Sequence, residues 1–290
     1  QLFFKIHVKS LWRLIKLLSS PECLTCNLNS MLKTMREHGL SEKETERIFL
    51  EIFRQTAKMD FSLTPVEIGR ILGKIVTGEM GIKDLFREEK VRSNDELLSI
   101  YDDLKKIIEK SGNKLLTALK LSVAGNTIDV GPGHEININE TMESVLKQDF
   151  AIDKFDLLLE ELKNAKTLLY IGDNCGETVL DKLCIEYINV PEIVYVVRSE
   201  PTLNDVTMKE AREIGMDEVA KVIEGTDGPG AILNESTEEF KHYFNNADVI
   251  ISKGQGNFEG LSDLKRKIYF LLIAKCDVIA KYIGVEKGSF

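Results

Sequence analysis

The spacing of apolar and polar positions changes period once along the chain, close to residue 166. From residue 21 to about 150 the spacing is helical. Ser41 and Glu44 form a capping box, and Ile48, Ile52 and Phe53 follow at helical intervals. Ser93 with Glu96 repeats the signature, and Leu97, Tyr101, Leu104 and Ile108 then mark one apolar stripe of a long helix. Breaks are predicted at Ala124, Gly125 and Asn126, and again at Gly131, Pro132 and Gly133. Beyond Lys166, short apolar runs occupy 167–171, 193–197, 219–223, 248–251 and 268–273. Amphipathic stretches at 177–188, 206–214 and 236–244 lie between them, the last opened by Ser236 with Glu239. Continuous apolar strands alternating with helices predict a mainly parallel sheet covered on both faces. The expected fold class is therefore α/β, a helical N-terminal domain (21–150) followed by a three-layer α/β/α domain (151–290).

Four of the runs are followed by polar loops. Gly172-Asp173-Asn174-Cys175-Gly176-Glu177 follows the first and Arg198-Ser199-Glu200-Pro201-Thr202-Leu203-Asn204-Asp205 the second. Gly225-Thr226-Asp227-Gly228-Pro229-Gly230 follows the third and Ser252-Lys253-Gly254-Gln255-Gly256-Asn257 the fourth. In a parallel sheet all four lie on the carboxyl edge, where α/β proteins bind ligands. Asp173, Asn174 and Asp205 are hard oxygen donors of the kind Mg²⁺ or Mn²⁺ takes, with Arg198 and Lys253 as local cations for an anion. Each element also has a plainer meaning. Asp173-Asn174 and Asn204-Asp205 are good helix caps, and Lys253-Gly254-Gln255-Gly256 suits a tight turn. Their coincidence on one edge favours metal-assisted phosphoryl chemistry.

Composition sets the background. With 43% hydrophobic and 29% charged residues the chain is a globular protein, which excludes disorder. The formal charge of −9 argues against non-specific binding to nucleic acid, and no apolar run is long enough to span a membrane. Five cysteines, an odd number in a long chain, suggest a reducing cytoplasm. The leader, 1–20, carries Lys5, Lys9, Arg13 and Lys16 and no acidic residue, but lacks the cleavage site of a signal peptide. Cys23 and Cys26 are open to zinc, a conditional disulfide or simple packing, with His38 a weak further ligand. His7, His134 and His242 are scattered singly, and Asp227 is a pocket or turn residue.

The loops at 172–177, 198–205 and 252–259 resemble those of the DUF89 family, also called the damage-control phosphatase or ARMT1-like family. So do Glu22-Cys23-x-x-Cys26, Ala124-Gly125-Asn126-x-Ile128-Asp129 and Ala274-Lys275-Cys276, in order, across nearly all of 21–290. The Cys-x-x-Cys element is similar to the stand-alone prokaryotic branch. The resemblance implies a phosphatase of small phosphometabolites that depends on a divalent ion (Mn²⁺, Ni²⁺, Co²⁺ or Mg²⁺). It implies Asp173, Asn174 and Asp205 as metal ligands, with Asp173, Asp205 and Lys253 catalytic. Asn126, Arg198, Lys253 and Gly254 would meet the substrate. Position 175 departs from the family, being Cys where many relatives carry Ala. Two other classes stay open on the sequence. One is an S-adenosylmethionine-dependent carboxyl methyltransferase, disfavoured by the wrong glycine order at 172–176. The other is a non-catalytic phosphometabolite-binding module. Neither has an evident use for an Asp/Asn/Asp trio.

Overall fold

The computed structural model describes residues 17–59, 61–125 and 146–290. Asn126, the glycine-proline break at 131–133, His7, His134 and most of the leader lie outside them.

The first helices are α1 (Pro21–Glu37), α2 (Glu42–Thr56) and α3 (Pro65–Met80). The capping box of Ser41 and Glu44 opens α2, and Thr64 with Glu67 opens α3 in the same way. Met35, Ile52 and Leu72, one from each helix, meet in a core of their own. Next come α4 (Arg87–Ser99), α5 (Tyr101–Lys110) and α6 (Lys114–Ala124). Here one expectation fails. Ser93 lies buried inside α4 rather than capping it, and the stripe from Leu97 to Ile108 runs over two helices that meet at Ile100. Burial of Leu97, Leu104 and Ile108 on one side satisfies the same spacing without a single straight helix.

After α7 (Phe155–Asn164) the chain alternates: β1 (Thr167–Ile171), α8 (Glu177–Ile185), β2 (Glu192–Val197), α9 (Met208–Glu213), β3 (Lys221–Glu224), α10 (Glu238–Asn246), β4 (Val249–Lys253), α11 (Gly254–Leu261), β5 (Tyr269–Leu271) and α12 (Asp277–Ile283). All strand pairs are parallel, in the order β3-β2-β1-β4-β5. Alternate residues divide the sheet between two cores. Leu169, Ile171, Val194 and Ile250 pack with Phe240 and Phe244 of α10. Leu168, Tyr170, Tyr195 and Ile251 pack with α8 and also with Leu97, Leu104 and Leu121 of α4, α5 and α6. Those three helices thus share a continuous core with the sheet. The helix at 238–246 is capped by Thr237, whose side chain accepts from the Phe240 N–H. The predicted cap, Ser236, is instead buried against Thr226.

All five cysteines are free thiols. Burial, together with Cys276, Cys23 and Glu259 nearby, raises the Cys26 thiol. His38 bonds the backbone carbonyls of Thr34 and Leu85, so it is not turned towards Cys23 and Cys26. Among the described residues no helix is long and apolar enough to cross a membrane.

Candidate active site

The crossing between β1 and β4, where the chain leaves in opposite directions, sets the site. Gly172 follows β1 because the Tyr195 hydroxyl occupies the space a Cβ would need. Asp173 and Asn174 come next, and Asn174 and Asp205 pair as an isolated antiparallel bridge. Backbone bonds from Val206 N to Asp173 O (2.8 Å) and from Cys175 N to Asn204 O (2.8 Å) fix the two loops together. Neither loop is a helix cap. The residue before α8 is Gly176, in a left-handed conformation at φ 82°, and α9 is opened by Thr207 with Glu210 as its capping box. The capping explanation for Asp173, Asn174 and Asp205 is therefore removed.

Arg198, 1% exposed, joins the two acids. Its Nε donates to Asp205 Oδ2 at 2.5 Å and its Nη2 to Asp173 Oδ1 at 3.1 Å. Each carboxylate has a second oxygen that Arg198 does not take. Burial and the neighbouring Asp205 push the Asp173 carboxyl up to about 7, against the pull of Arg198. Burial also raises Asp205, again opposed by Arg198. Gly254 lies against this pair. Its φ of 74° is left-handed, and a Cβ there would run into Asp173 Oδ2.

Lys253 is not on the loop, as the motif suggested, but is the last residue of β4 and wholly buried. Its Nζ donates to Ser122 O (2.9 Å), Glu177 Oε2 (3.1 Å) and Asp181 Oδ1 (2.8 Å). Burial alone would lower its affinity for the proton, but Asp181 and Glu177 hold it above the ordinary lysine range. Asp181 also accepts from Tyr170, Tyr195 and Ser122 hydroxyls, at 2.9, 2.9 and 2.6 Å. Glu177, pushed up to about 7 chiefly by burial, accepts from Asn174 Nδ2 at 3.1 Å. With the amide nitrogen on Glu177, the donor atom Asn174 would offer a cation is Oδ1.

The sequence reading missed Glu177 and Asp181 as site residues, although they are an i, i+4 acidic pair on a mostly buried helix. It also missed Tyr170 and Tyr195, which face each other in register on β1 and β2. Asp227 is engaged by α3, with Arg70 Nε and Lys74 Nζ each at 2.5 Å. Asn126, assigned to the substrate by resemblance, lies outside the described residues.

The donor set fits a divalent cation. Direct contacts join four buried carboxylates (Asp173, Asp205, Glu177, Asp181) to two cations (Arg198, Lys253); burial first, and then the neighbouring carboxylates, raise Asp173, Asp205 and Glu177. Among the described residues no group of three or more His, Cys, Asp or Glu side chains is placed to hold a metal ion by itself. Two carboxylates and an amide, completed by water and phosphate, match the sparse protein ligation of Mg²⁺-type ions.

A family profile described as the damage-control phosphatase ARMT1-like domain matches residues 19–289. The chain is 34% identical to a damage-control phosphatase of Pyrococcus horikoshii, over 92% of this chain and 95% of that one. It is 33% identical to a damage-control phosphatase of Archaeoglobus fulgidus, over 72% and 75%. The crystal structure of a DUF89 family protein from Pyrococcus horikoshii superposes with a TM-score of 0.87 at 33% identity, covering 94% of this chain and 97% of the other. The chain belongs to the damage-control phosphatase ARMT1-like (DUF89) family.

Proposed function

We infer that the protein is a phosphatase of small phosphorylated metabolites, sugar phosphates or damaged ones, and that it uses a divalent metal ion to hydrolyse the monoester. The observation that carries this reading is the pair of buried acids, Asp173 and Asp205, drawn from two strands onto one arginine at the carboxyl edge of the sheet. The likeness to the damage-control phosphatases of Pyrococcus horikoshii and Archaeoglobus fulgidus supports the phosphatase part. Asp173, Asn174 and Asp205 would hold the ion, which when bound polarises the phosphate and lowers the pKa of its water.

The chain's own residues have distinct tasks. Arg198 fixes one oxygen of each acid, so both carboxylates are aimed before a cation arrives. Gly254 lets the start of α11 approach Asp173 closely, placing backbone N–H groups beside the phosphate position. Lys253 acts through Glu177 on the Asn174 amide and is a positioning residue. Hydrolysis of a chromogenic phosphate ester, assayed with Mn²⁺, Co²⁺, Ni²⁺ or Mg²⁺ and with excess chelator, tests the reading. Activity is expected only with metal; full activity after verified metal removal overturns it.

A further inference from the structure

Three of the five cysteines gather where the two ends of the described chain meet. Leu17, ahead of α1, packs in one apolar cluster with Phe258 of α11, with Ala274 and Cys276, and with Ile279 of α12. Ser20, which precedes α1 directly, has its hydroxyl 3.5 Å from Cys23 Sγ. Cys26 lies one turn further along α1, close to Cys276, Cys23 and Glu259. Cys26 is exposed, and Cys23 and Cys276 are half-buried, so all three can be reached from solvent. Cys175 and Cys184 differ. Both are buried in the core, and burial holds their thiols protonated. The hydrolysis proposed above uses none of the three accessible thiols.

Two pairings compete for Cys26, and helix geometry decides between them. Cys23 and Cys26 both lie inside α1 at i, i+3, which sets their Cβ atoms about 5–6 Å apart. A disulfide needs about 3.5–4.5 Å. Closing that gap would unwind a turn held by bonds from Cys23 N and Leu24 N to Ser20 O, at 3.0 and 3.2 Å. Cys276 sits on a different element, directly before α12, and acts on Cys26 more strongly than Cys23 does. It also reaches the candidate site through one residue. Gln255 Nε2 donates to Cys276 Sγ at 3.7 Å and to Glu259 Oε1 at 2.8 Å, while Gln255 Oε1 accepts from Lys275 N at 2.9 Å. Gln255 follows Gly254, the residue that rests against Asp173.

We propose that Cys26 and Cys276 are a redox-modification site, forming a reversible disulfide that ties α1 to the start of α12 and slows hydrolysis by releasing Gln255. The oxidant is a low-molecular-weight disulfide such as oxidised glutathione. One protein thiolate attacks a sulfur of that molecule, forming a mixed disulfide and expelling one small thiolate. The second protein thiol gives up its proton and attacks the protein sulfur of the mixed disulfide, expelling the other. Two electrons and two protons leave the protein, and the small disulfide becomes two thiols. Cys276 Sγ is drawn towards α1 and away from Gln255, so the first turn of α11 loses an anchor beside Asp173. Accessible disulfides of this kind are the labile, regulatory ones. The effect on hydrolysis rests on the phosphatase reading, whereas the disulfide does not.

In the test, the reduced full chain is incubated with oxidised glutathione, its remaining thiols are alkylated, and its peptides are mapped by mass spectrometry. Cys23→Ser, Cys26→Ser and Cys276→Ser are treated alongside. The parent and Cys23→Ser should yield a cross-linked peptide joining Cys26 to Cys276, lost in the other two variants and after dithiothreitol. A bridge from Cys23 to Cys26, glutathione adducts alone, or unmodified thiols would each overturn the site. Mn²⁺-dependent hydrolysis of a chromogenic ester should fall several-fold in the oxidised parent and recover after reduction and desalting. In Cys26→Ser the same treatments should leave the rate constant. Equal rates in oxidised and reduced parent overturn the switch. If the parent hydrolyses no ester in either state, the phosphatase reading fails by itself, and the peptide map alone decides the disulfide.

Discussion

Replacing Lys253 with methionine should unfold the protein far more readily than a loop position would allow. The ammonium is wholly buried and donates to Glu177, Asp181 and the Ser122 carbonyl within 3.1 Å. Methionine matches the length but carries no charge, so two buried carboxylates lose their common cation. Removing one partner of a buried ion pair costs roughly 3–5 kcal/mol, because the remaining charge is left uncompensated. Given about 2–4 °C per kcal/mol for a chain of this size class, the melting temperature should drop by about 10 °C. Urea unfolding followed by far-ultraviolet circular dichroism, with parent and variant compared at a common slope, measures the loss. The double variant Lys253→Met/Asp181→Asn removes one of the stranded charges and should recover part of it, a coupling that a double-mutant cycle reads directly. A loss under about 1 kcal/mol in Lys253→Met, or no recovery in the double variant, would refute the buried-network account.

Asp205→Asn keeps α9 intact because Thr207 and Glu210 form its cap, so it should weaken Mn²⁺ binding at least tenfold by calorimetry while helix content in the dichroism spectrum stays the same. Gly254→Ala forces a Cβ into Asp173 Oδ2 and a left-handed φ onto alanine; Mn²⁺ affinity and melting temperature should both fall, and unchanged values of either would show that the approach to Asp173 is dispensable. Asp173 and Glu177 are both pushed up to about 7, so the folded, metal-free protein keeps protons that the unfolded chain releases. Their contribution to stability is complete below the unfolded carboxylate range and lost as pH rises through 7; in chelator, the urea midpoint should therefore be lower at pH 8 than at pH 6. A higher midpoint at pH 8 would contradict this. Asp227→Asn weakens contacts to Arg70 and Lys74 that are partly exposed, so a loss of no more than about 1 kcal/mol is expected in the same urea assay.

Much of this architecture follows from spacing along the chain. The run at 167–171 is β1 residue for residue, and the four polar loops share the carboxyl edge because parallel strands leave them no other place. The acids Asp173 and Asp205 were legible for the same reason: sequence fixes which end of each strand they follow. Their mutual geometry was not, since it depends on Arg198 reaching both and on backbone bonds between loops thirty residues apart. The capping signatures show the limit most clearly. Ser41 with Glu44 and Ser93 with Glu96 have the same spacing, yet one opens a helix and the other lies buried within one. A cap is a local hydrogen bond, whereas burial of Ser93 is decided by the packing of α4 against Gly176 and α8. Lys253 repeats the lesson. Nothing local marks a lysine as buried; that depends on Glu177 and Asp181 being delivered from α8, with Tyr170 and Tyr195 beneath them, by contacts that only the assembled sheet creates.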